Sequence, residues 1–431
     1  MWPTSVSCSS GVCLGGLLMA DARVETTGAM VRLTLPTVGL SMALSLVTTY
    51  LPLTLRRYTG SATLIGLAIG GEGLFALAIP LVVGAASDRT WTRWGRRRPY
   101  MVAAAPVMAL AMALAPMQPG YIRIAACVFV FFAAYHVYTP PFQALIPDSV
   151  PYARHGQVQG IQTLMRGLGM FAGMVGAGLL LEQWEPLPYV LASGLLLAVT
   201  AVTVLTIVET PPESSRSGPR QSIVAMLRET LETTQAEKGI HRFLVANYLW
   251  EATVQGVRPF ILLFFMYVLG VQAGGGALLL GWLGITYIVG GVASGVLADR
   301  YGRFRVMWGG LFVYLAGCII GIFVHDVRWV IVLLPLFGAG GSAVMTLPYT
   351  IMMAMMPPGR LGQFTGLYSL SRGLAMVTAP LFVGLLIDLF SPYMPESRGY
   401  SVIWPITATM VGVSMLVFRT VKAPRTSVRV V

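Results

Sequence analysis

Two related stretches decide the fold of this chain. Residues 295–305 read GVLADRYGRFR, and residues 84–99 read GAASDRTWTRWGRRRP. Each begins near the end of a long apolar run and joins a Gly and an Asp to a turn rich in arginine. Similar apolar runs recur on both sides of each stretch, and about 20 apolar residues suffice for a helix to cross the hydrocarbon core of a membrane. The two stretches therefore mark the ends of membrane-spanning helices.

The apolar runs predict an all-α membrane protein with about twelve transmembrane helices in two six-helix bundles. The predicted spans are residues 33–54, 62–86, 100–118, 121–147, 163–182, 188–208, 243–269, 276–298, 306–324, 328–355, 364–389 and 402–419. The composition agrees, because 56% of the 431 residues are hydrophobic and only 11% are charged, whereas soluble proteins carry about a quarter charged residues. An outer-membrane barrel is not predicted, because the runs do not alternate polar and apolar residues.

The distribution of Lys and Arg predicts which side of the membrane each loop faces. With the amino terminus inside, 21 of the 29 basic residues fall in cytoplasmic segments, five in outer segments and three within spans. Shifting the assignment by one span would reverse this positive-inside bias. We therefore expect a multi-pass protein of the cell (inner) membrane with both termini in the cytoplasm. The net charge of +12 is explained by this bias, and no nucleic-acid partner is expected.

The predicted topology can be tested with single cysteines on the two sides. In a background without the native cysteines, we expect a membrane-impermeant thiol reagent added to intact cells to label Met394→Cys but not Arg216→Cys. The reason is that residue 216 lies in a predicted cytoplasmic segment and residue 394 in a predicted outer loop. The reverse labelling pattern would contradict the topology.

One long hydrophilic stretch, residues 209–242, divides the chain. It opens with ETPPESSRSGP, which is turn and linker chemistry. Five residues on one helical face then predict a short helix on the membrane surface; they are Ile223, Met226, Leu227, Thr230 and Leu231. The resulting segments are an amino-terminal tail (1–30), a first bundle (31–208), the cytoplasmic linker (209–242), a second bundle (243–420) and a cytoplasmic tail (421–431).

The first residues lack the basic segment of a signal peptide. Either they form a tail, or translation begins at Met19, which is the interpretation that we favour.

The two predicted bundles repeat each other in sequence. RHGQVQG begins at Arg154 and RLGQFTG at Arg360, while RGLGM begins at Arg166 and RGLAM at Arg372. Both matches have an offset of 206 residues, and the same offset aligns Glu182 with Asp388. Parallel duplication of a six-helix unit is transporter architecture, with the substrate site between the halves.

The two opening stretches resemble the signature loop of the major facilitator superfamily, Gly-x-x-x-Asp-Arg-x-Gly-Arg-Arg. The copy at 295–305 is close, whereas the copy at 84–99 has an insertion between Asp-Arg and Gly-Arg. The resemblance implies two pseudo-symmetric bundles that alternate access, with a gate at these helix ends. The implied gating residues are Gly84, Asp88, Arg89, Gly95, Arg96, Gly295, Asp299, Arg300, Gly302 and Arg303, with Arg166 and Arg372.

Elementary physics supports a gate at these positions. Glycine lets two helices approach closely, an aspartate is attracted to the positive amino end of a neighbouring helix, and arginines hold a turn at the anionic inner leaflet. In the superfamily's fold the second span packs against the eleventh, and the eighth against the fifth. Arg372 is expected near the inner start of the eleventh span, and Arg166 near the inner start of the fifth. When the cytoplasmic side is closed, we therefore expect Asp88 to contact the Arg372 end of the eleventh span and Asp299 the Arg166 end of the fifth. The alternative is that the arginines only set the topology.

A finer resemblance concerns the amino half. The segment SDRTWTRWGRRRP from Ser87 and the segment PPFQALIPD ending at Asp148 are similar to the sucrose:proton symporters and the wider glycoside–pentoside–hexuronide:cation symporters. This similarity implies proton- or cation-coupled uptake of a sugar or glycoside. The carboxyl half departs from the pattern, because Met355 and Met356 lie near where Asp148 has its counterpart.

Ionisable residues inside predicted spans are costly and therefore candidates for function. Glu72 lies among glycines in the second span, and Glu251 and Arg258 share a face of the seventh. The last two either pair with each other or contact substrate; static pairing and a purely structural Glu72 remain alternatives. His136 in the fourth span either titrates near neutral pH or is a packed core residue.

Aromatic and amide side chains of several spans are candidates for lining a central cavity; they are Tyr50, Tyr135, Tyr138, Asn247, Tyr248, Trp250, Gln255 and Tyr349. Such a lining suits sugars and flat drug-like molecules equally. The four cysteines show no metal spacing, and the chain contains no nucleotide-binding or haem motif and no catalytic constellation. We expect a monomeric transporter rather than an enzyme, without cofactor or metal, that works with a small solute, a proton or cation and the lipid bilayer.

Three functions are compatible with these features. The first is proton- or cation-coupled uptake of a sugar or glycoside, and the second is proton-coupled efflux of drug-like or secondary metabolites. The third, a non-transporting membrane scaffold or sensor, does not require the duplicated gate. The sequence of the second-span loop favours the first.

Overall fold

The structure is a computed structural model that describes residues 26–207, 209, 238–355 and 361–421. All regular secondary structure in these ranges is helical, apart from an isolated bridge between Thr92 and Gly95. The surface helix predicted at residues 223–231 lies outside the described residues.

Twelve membrane-crossing elements, named α1 to α12, follow one another through the described ranges. They are α1 (Thr27–Tyr58), α2 (Ala62–Arg89), α3 (Arg98–Met117), α4 (Tyr121–Ser149), α5 (His155–Leu181), α6 (Leu187–Thr206), α7a (Lys238–Val257) with α7b (Ile261–Tyr267), α8 (Ala273–Tyr301), α9 (Arg303–Phe323), α10 (Val327–Met355), α11 (Leu361–Phe390) and α12 (Ile403–Arg419). Eleven of them are long and apolar enough to cross a membrane as single helices. The predicted all-α fold is confirmed.

The seventh element differs from its prediction, because it is two helices rather than one. The break covers Arg258, Pro259 and Phe260. Proline has no N–H to donate to the helix ladder and its ring clashes with the preceding turn, so the helix ends there and restarts at Ile261. Interrupted helices at membrane depth occur where the free backbone groups line a cavity or are buried in protein.

The starts of several helices also differ from prediction, and the difference is largest for α5. α5 begins at His155 and α11 at Leu361, earlier than the apolar runs beginning at 163 and 364. In α5 the difference is large because its first two turns carry polar side chains that an apolar-run criterion excludes.

The two halves meet along α2 with α11 and along α5 with α8. We call the side that carries the α2–α3 and α8–α9 turns the basic side, and the other the opposite side. Close contacts concentrate toward the opposite side: a Cβ at Gly73 would lie 2.7 Å from the backbone nitrogen of Val377, and one at Gly281 would lie 2.5 Å from Val175. Toward the basic side, a Cβ at Gly84 or Gly295 would have no neighbour within 4 Å among the residues that the structure describes. The bundle is therefore closed on the opposite side and open on the basic side.

The outer faces of the helices are apolar. Exposed side chains such as Val292, Val296 and Leu416 lie on helices that are otherwise packed. An apolar belt of this extent on a folded chain is expected for contact with lipid. The protein is a multi-pass membrane protein.

Candidate functional site

The α2–α3 turn on the basic side is organised around the buried guanidinium of Arg97. It donates to Ser87 Oγ at 2.6 Å, forms an ion pair with Asp88 at 2.5 Å and approaches Asp148 at 3.3 Å. Arg96 adds a second contact to Asp148 at 2.6 Å. The two segments that carry the finer resemblance, the arginine turn and the end of α4, are thus joined by charge-assisted hydrogen bonds.

A carboxylate that follows α6 caps the start of α3. Both oxygens of Glu209 accept hydrogen bonds from the backbone N–H groups of Arg96, Arg97 and Arg98 at 2.7 to 3.0 Å. The first amides of a helix have no partner within it and favour a negative charge. Gly95, with φ of +102°, makes the turn that presents these amides.

The equivalent turn of the carboxyl half is built differently. Gly302 has φ of +93°, a conformation that favours glycine, and Arg303 donates to the backbone oxygen of Thr350 at 3.1 Å. A main-chain carbonyl here takes the place of the Asp148 carboxylate. Asp299 is exposed at the end of α8.

The gate contacts expected from the sequence are not formed in this structure. Asp88 is 58% exposed and pairs with Arg97, and Arg372 pairs with Glu251. The halves are apart on the basic side, and in such an open conformation each aspartate is expected to be separated from the other half. The contacts expected when this side is closed stay a prediction. The placement of Arg372 and Arg166 at helix starts was wrong. Each lies eleven residues, or about 17 Å at 1.5 Å per residue, after the first residue of its helix.

Four charged side chains form two ion pairs at mid-membrane depth. Arg258, at the break in α7, lies 3.9 Å from the carboxylate of Glu72 on α2, so this pair joins the two halves. Glu251 on α7a lies 3.4 Å from Arg372 on α11, within the carboxyl half. The pairing of Glu251 with Arg258 that their shared face allowed is therefore wrong, because each has a nearer partner on a neighbouring helix.

The two pairs share one polar region. Glu72 also interacts electrostatically with Arg372, and Tyr135 with Glu72, Arg166 and Arg258. Both glutamate side chains are nearly fully buried, whereas the arginines are more exposed. Two acids are thus packed in the protein, with their cations toward the open space.

Amide and hydroxyl groups of the carboxyl half extend this region. Gln255 donates to Glu251 at 3.4 Å, and Asn247 donates to Ser371 Oγ at 2.8 Å. Tyr248 shares a hydrogen bond of 2.7 Å with Thr378. Tyr349 is partly exposed. These candidates lie on α7a and α10, and the hydrogen-bond partners of Asn247 and Tyr248 lie on α11.

Other candidates are buried in helix packing. Tyr50 donates to the backbone oxygen of Met174, Tyr138 shares a hydrogen bond with Thr200 at 3.0 Å, and Trp250 donates to Ser414 at 2.9 Å. All three are fully buried, so in this conformation they stabilise each half rather than line the open space. His136 is buried as well, and its Nε2 has no hydrogen-bond partner among the described residues.

Two acids at helix ends close the opposite side. Asp388, near the end of α11, accepts hydrogen bonds from the amides of Ala62 and Thr63 at 2.7 and 2.9 Å and from the hydroxyls of Ser61 and Thr63 at 2.5 and 2.7 Å. Glu182, just after α5, accepts from the amide of Gly274 at 2.8 Å. Each carboxylate thus caps the first turn of a helix in the other half.

The sequence predicted a structural or gating role for Asp388 near a span end, but it did not predict that Asp388 and Glu182 cap helices of the other half. Glu182 and Asp388 align in the internal repeat at the offset of 206 residues, and each ends a span. An acid repeated at a helix end indicates a cap for a helix amino terminus. Its partner could be found only from the contact of α2 with α11 and of α5 with α8.

Comparisons with known proteins agree with this architecture. The sequence profile of the Major Facilitator Superfamily matches residues 33–274 and 252–429. The chain therefore belongs to the Major Facilitator Superfamily and is a transporter of that class.

Individual relatives are more distant. Multidrug resistance protein 3 of Bacillus subtilis (strain 168) is 29% identical over 114 residues, which are 26% of this chain and only 22% of that protein. Among solved structures, a bacterial homolog of the human lysosomal transporter Spinster, in an inward-facing and unoccupied conformation, has a TM-score of 0.72 at 15% identity, covering 92% of this chain and 98% of that one. The nucleoside transporter NupG has a TM-score of 0.72 at 14% identity, covering 90% and 98%. At these identities the structural matches establish the fold alone.

Proposed function

We propose that this protein is a proton-coupled symporter that takes up a small hydroxylated solute of the sugar or glycoside class. The observation that carries the proposal is the buried ion pair between Glu72 and Arg258, which joins the two halves at mid-membrane depth. The loops of the basic side face the cytoplasm in this proposal, with both termini, so the present conformation is open to the inside.

The proposed coupling follows from the electrostatics of that pair. Separating two charges inside a membrane protein costs several kcal/mol unless each finds a new partner. A proton on Glu72 neutralises the carboxylate and releases Arg258. The two halves can then move relative to each other without leaving the Glu72 carboxylate charged and unpaired. Glu251 and Arg372 repeat the arrangement within the carboxyl half and hold α7a against α11.

The test is transport by purified protein in proteoliposomes. We expect Glu72→Gln and Glu251→Gln to abolish accumulation driven by a pH gradient while retaining more of the solute exchange, because a glutamine cannot bind and release a proton. Uptake is measured against a panel of radiolabelled sugars, with and without the gradient. Glu396→Gln, an exposed site on the opposite side, is the matched control and should behave as wild type. Normal accumulation by both test variants would refute the coupling role.

Efflux of drug-like molecules is the second candidate function. The similarity to a multidrug resistance protein supports it, and the exposed Tyr349, in edge-to-face contact with the buried Tyr368 at 5.4 Å, offers an aromatic surface. Fluorescent dyes in the same vesicles distinguish the two functions. A proton gradient that expels dyes but accumulates no sugar would establish efflux instead.

A further inference from the structure

One face of α5 carries polar side chains at helical spacing. His155, Gln159, Gln162 and Arg166 are separated by four, three and four residues, so they lie above one another on a single face. The row runs from the basic side to the middle of the membrane. We call these four residues the polar ladder.

The polar ladder faces a cavity. A space of about 470 Å³ lies between the first half of α5 and the end of α4, and its wall is formed by the ladder with Gln143, Ile146, Pro147 and Val158. The described residues of the wall supply a guanidinium, an imidazole and three amides but no carboxylate. It therefore offers hydrogen-bond donors and a positive charge.

Arg166 differs from the other two arginines at mid-membrane depth. Arg258 and Arg372 each lie beside a glutamate, but no carboxylate among the described residues forms an ion pair with Arg166. Intramembrane charges are usually paired or face a water-filled cavity that serves function. Within the described part of the chain, Arg166 borders the cavity and has no carboxylate partner.

The internal repeat shows that this difference is specific to the amino half. At the offset of 206 residues, Arg166 corresponds to Arg372, and Arg372 lies 3.4 Å from the carboxylate of Glu251. Of these two equivalent arginines, only Arg372 has a carboxylate partner among the described residues.

The other positions of the polar ladder differ in chemistry between the halves. His155, Gln159 and Gln162 correspond to Leu361, Thr365 and Tyr368 on α11. The imidazole and the two amides of the amino half are thus replaced by an apolar side chain and two hydroxyl groups. An imidazole and amides beside an arginine that has no carboxylate partner among the described residues indicate a binding surface.

We propose that the polar ladder binds an anionic group of the transported solute, a carboxylate or a phosphate, with Arg166 as the residue that determines this specificity. Guanidinium groups bind both groups through paired charge-assisted hydrogen bonds, and the glutamine amides supply further donors. This inference rests on the proposed transport function and narrows its substrate class to solutes that carry a negative charge. The anionic group of the solute pairs with Arg166 as the carboxylate of Glu251 pairs with Arg372.

Binding to purified protein in nanodiscs of zwitterionic lipid, without a pH gradient, tests the inference. The probes are glucose, glucuronate and glucose 6-phosphate, with benzyl alcohol and benzoate as a second scaffold, each followed by the shift in thermal unfolding and by titration. We expect an anion to bind at least tenfold more tightly than its neutral analogue. Arg166→Gln should weaken anion binding about 10- to 100-fold, the range for a hydrogen bond to a charged group. Arg166→Lys should retain part of the affinity, and Gln159→Glu should weaken anion binding but not neutral binding.

Arg328→Gln, an equal change of charge on the exposed opposite side, is the matched control and should leave every affinity unchanged. The inference is overturned if no anion of the panel binds, if anions and neutral analogues bind alike, or if Arg166→Gln binds anions as wild type does. It is also overturned if only phosphatidylglycerol added to the nanodiscs stabilises the protein through Arg166, since the cavity would then hold a lipid headgroup. Because no gradient is used, a failure of Glu72 and Glu251 to act in coupling would leave this result intact.

Discussion

Asp388→Asn is expected to open the side of the transporter that is closed in this structure. The carboxylate accepts four hydrogen bonds at the first turn of α2, two of them from backbone amides. Asparagine keeps the shape but loses the charge and one acceptor oxygen. Hydrogen bonds to charged groups contribute about 1.5–3 kcal/mol each. Because asparagine retains most of the geometry, we expect the closed conformation to lose about 2 kcal/mol of stability. This loss shifts the equilibrium roughly thirtyfold toward the conformation that is open on this side.

Spin labels at Tyr58 and Tyr393, both exposed on the opposite side, report this opening as a distance across the closure. In a cysteine-free background, Asp388→Asn should add a longer distance to the distribution, and Glu182→Gln should have a smaller effect because Glu182 accepts one hydrogen bond at its helix. Asp326→Asn, on the same side but within one half, is the control. An unchanged distance distribution in Asp388→Asn would show that the cap does not hold the closure.

The second large effect is expected for Arg97→Met. This side chain is 6% exposed and holds Ser87, Asp88 and Asp148 together. Removing one member of a buried ion pair typically costs 3–5 kcal/mol. Both acids here retain access to water, so a loss near the lower end, about 3 kcal/mol of folding free energy, is expected. Arg97→Lys should recover only part of it, because an ammonium lacks the planar fork that reaches several partners.

Thermal unfolding in detergent measures this effect, with Arg93→Met as the control. Arg93 belongs to the same turn but is exposed and contacts the ring of Trp94, so its loss should change the melting temperature little. Equal melting temperatures for the two variants would mean that the turn is held by the Glu209 cap rather than by the guanidinium of Arg97.

The helices could be predicted from sequence because apolar length is a local property. The ion pairs could not, since they depend on how each helix is rotated and which neighbour it contacts. Arg258 shares a helical face with Glu251, yet the break at Pro259 places it beside Glu72. Proline signalled that break, but an apolar-run criterion does not register it.

The polar ladder illustrates the same limit. An apolar run ends where polar residues begin, so the first two turns of α5 were excluded and Arg166 was placed near a helix end. The helix continues because its polar face borders a cavity rather than lipid. The gating motif was easier to find, because a repeated loop can be recognised without knowing its contacts.

The closed seam between α2 and α11 also determines where this transporter can accept mutations. A side chain at Gly66 would clash with the backbone of Pro380, and one at Gly384 with the backbone of Ala62. Because main-chain atoms cannot move aside as a flexible side chain can, almost any replacement at these positions wedges the halves apart. The cavity wall is bordered by open space and has no such restriction. Related transporters could therefore change their solute by substitutions in the cavity wall while the glycines of the α2–α11 contact stayed the same. Solute specificity and the closure of the two halves would then depend on different residues.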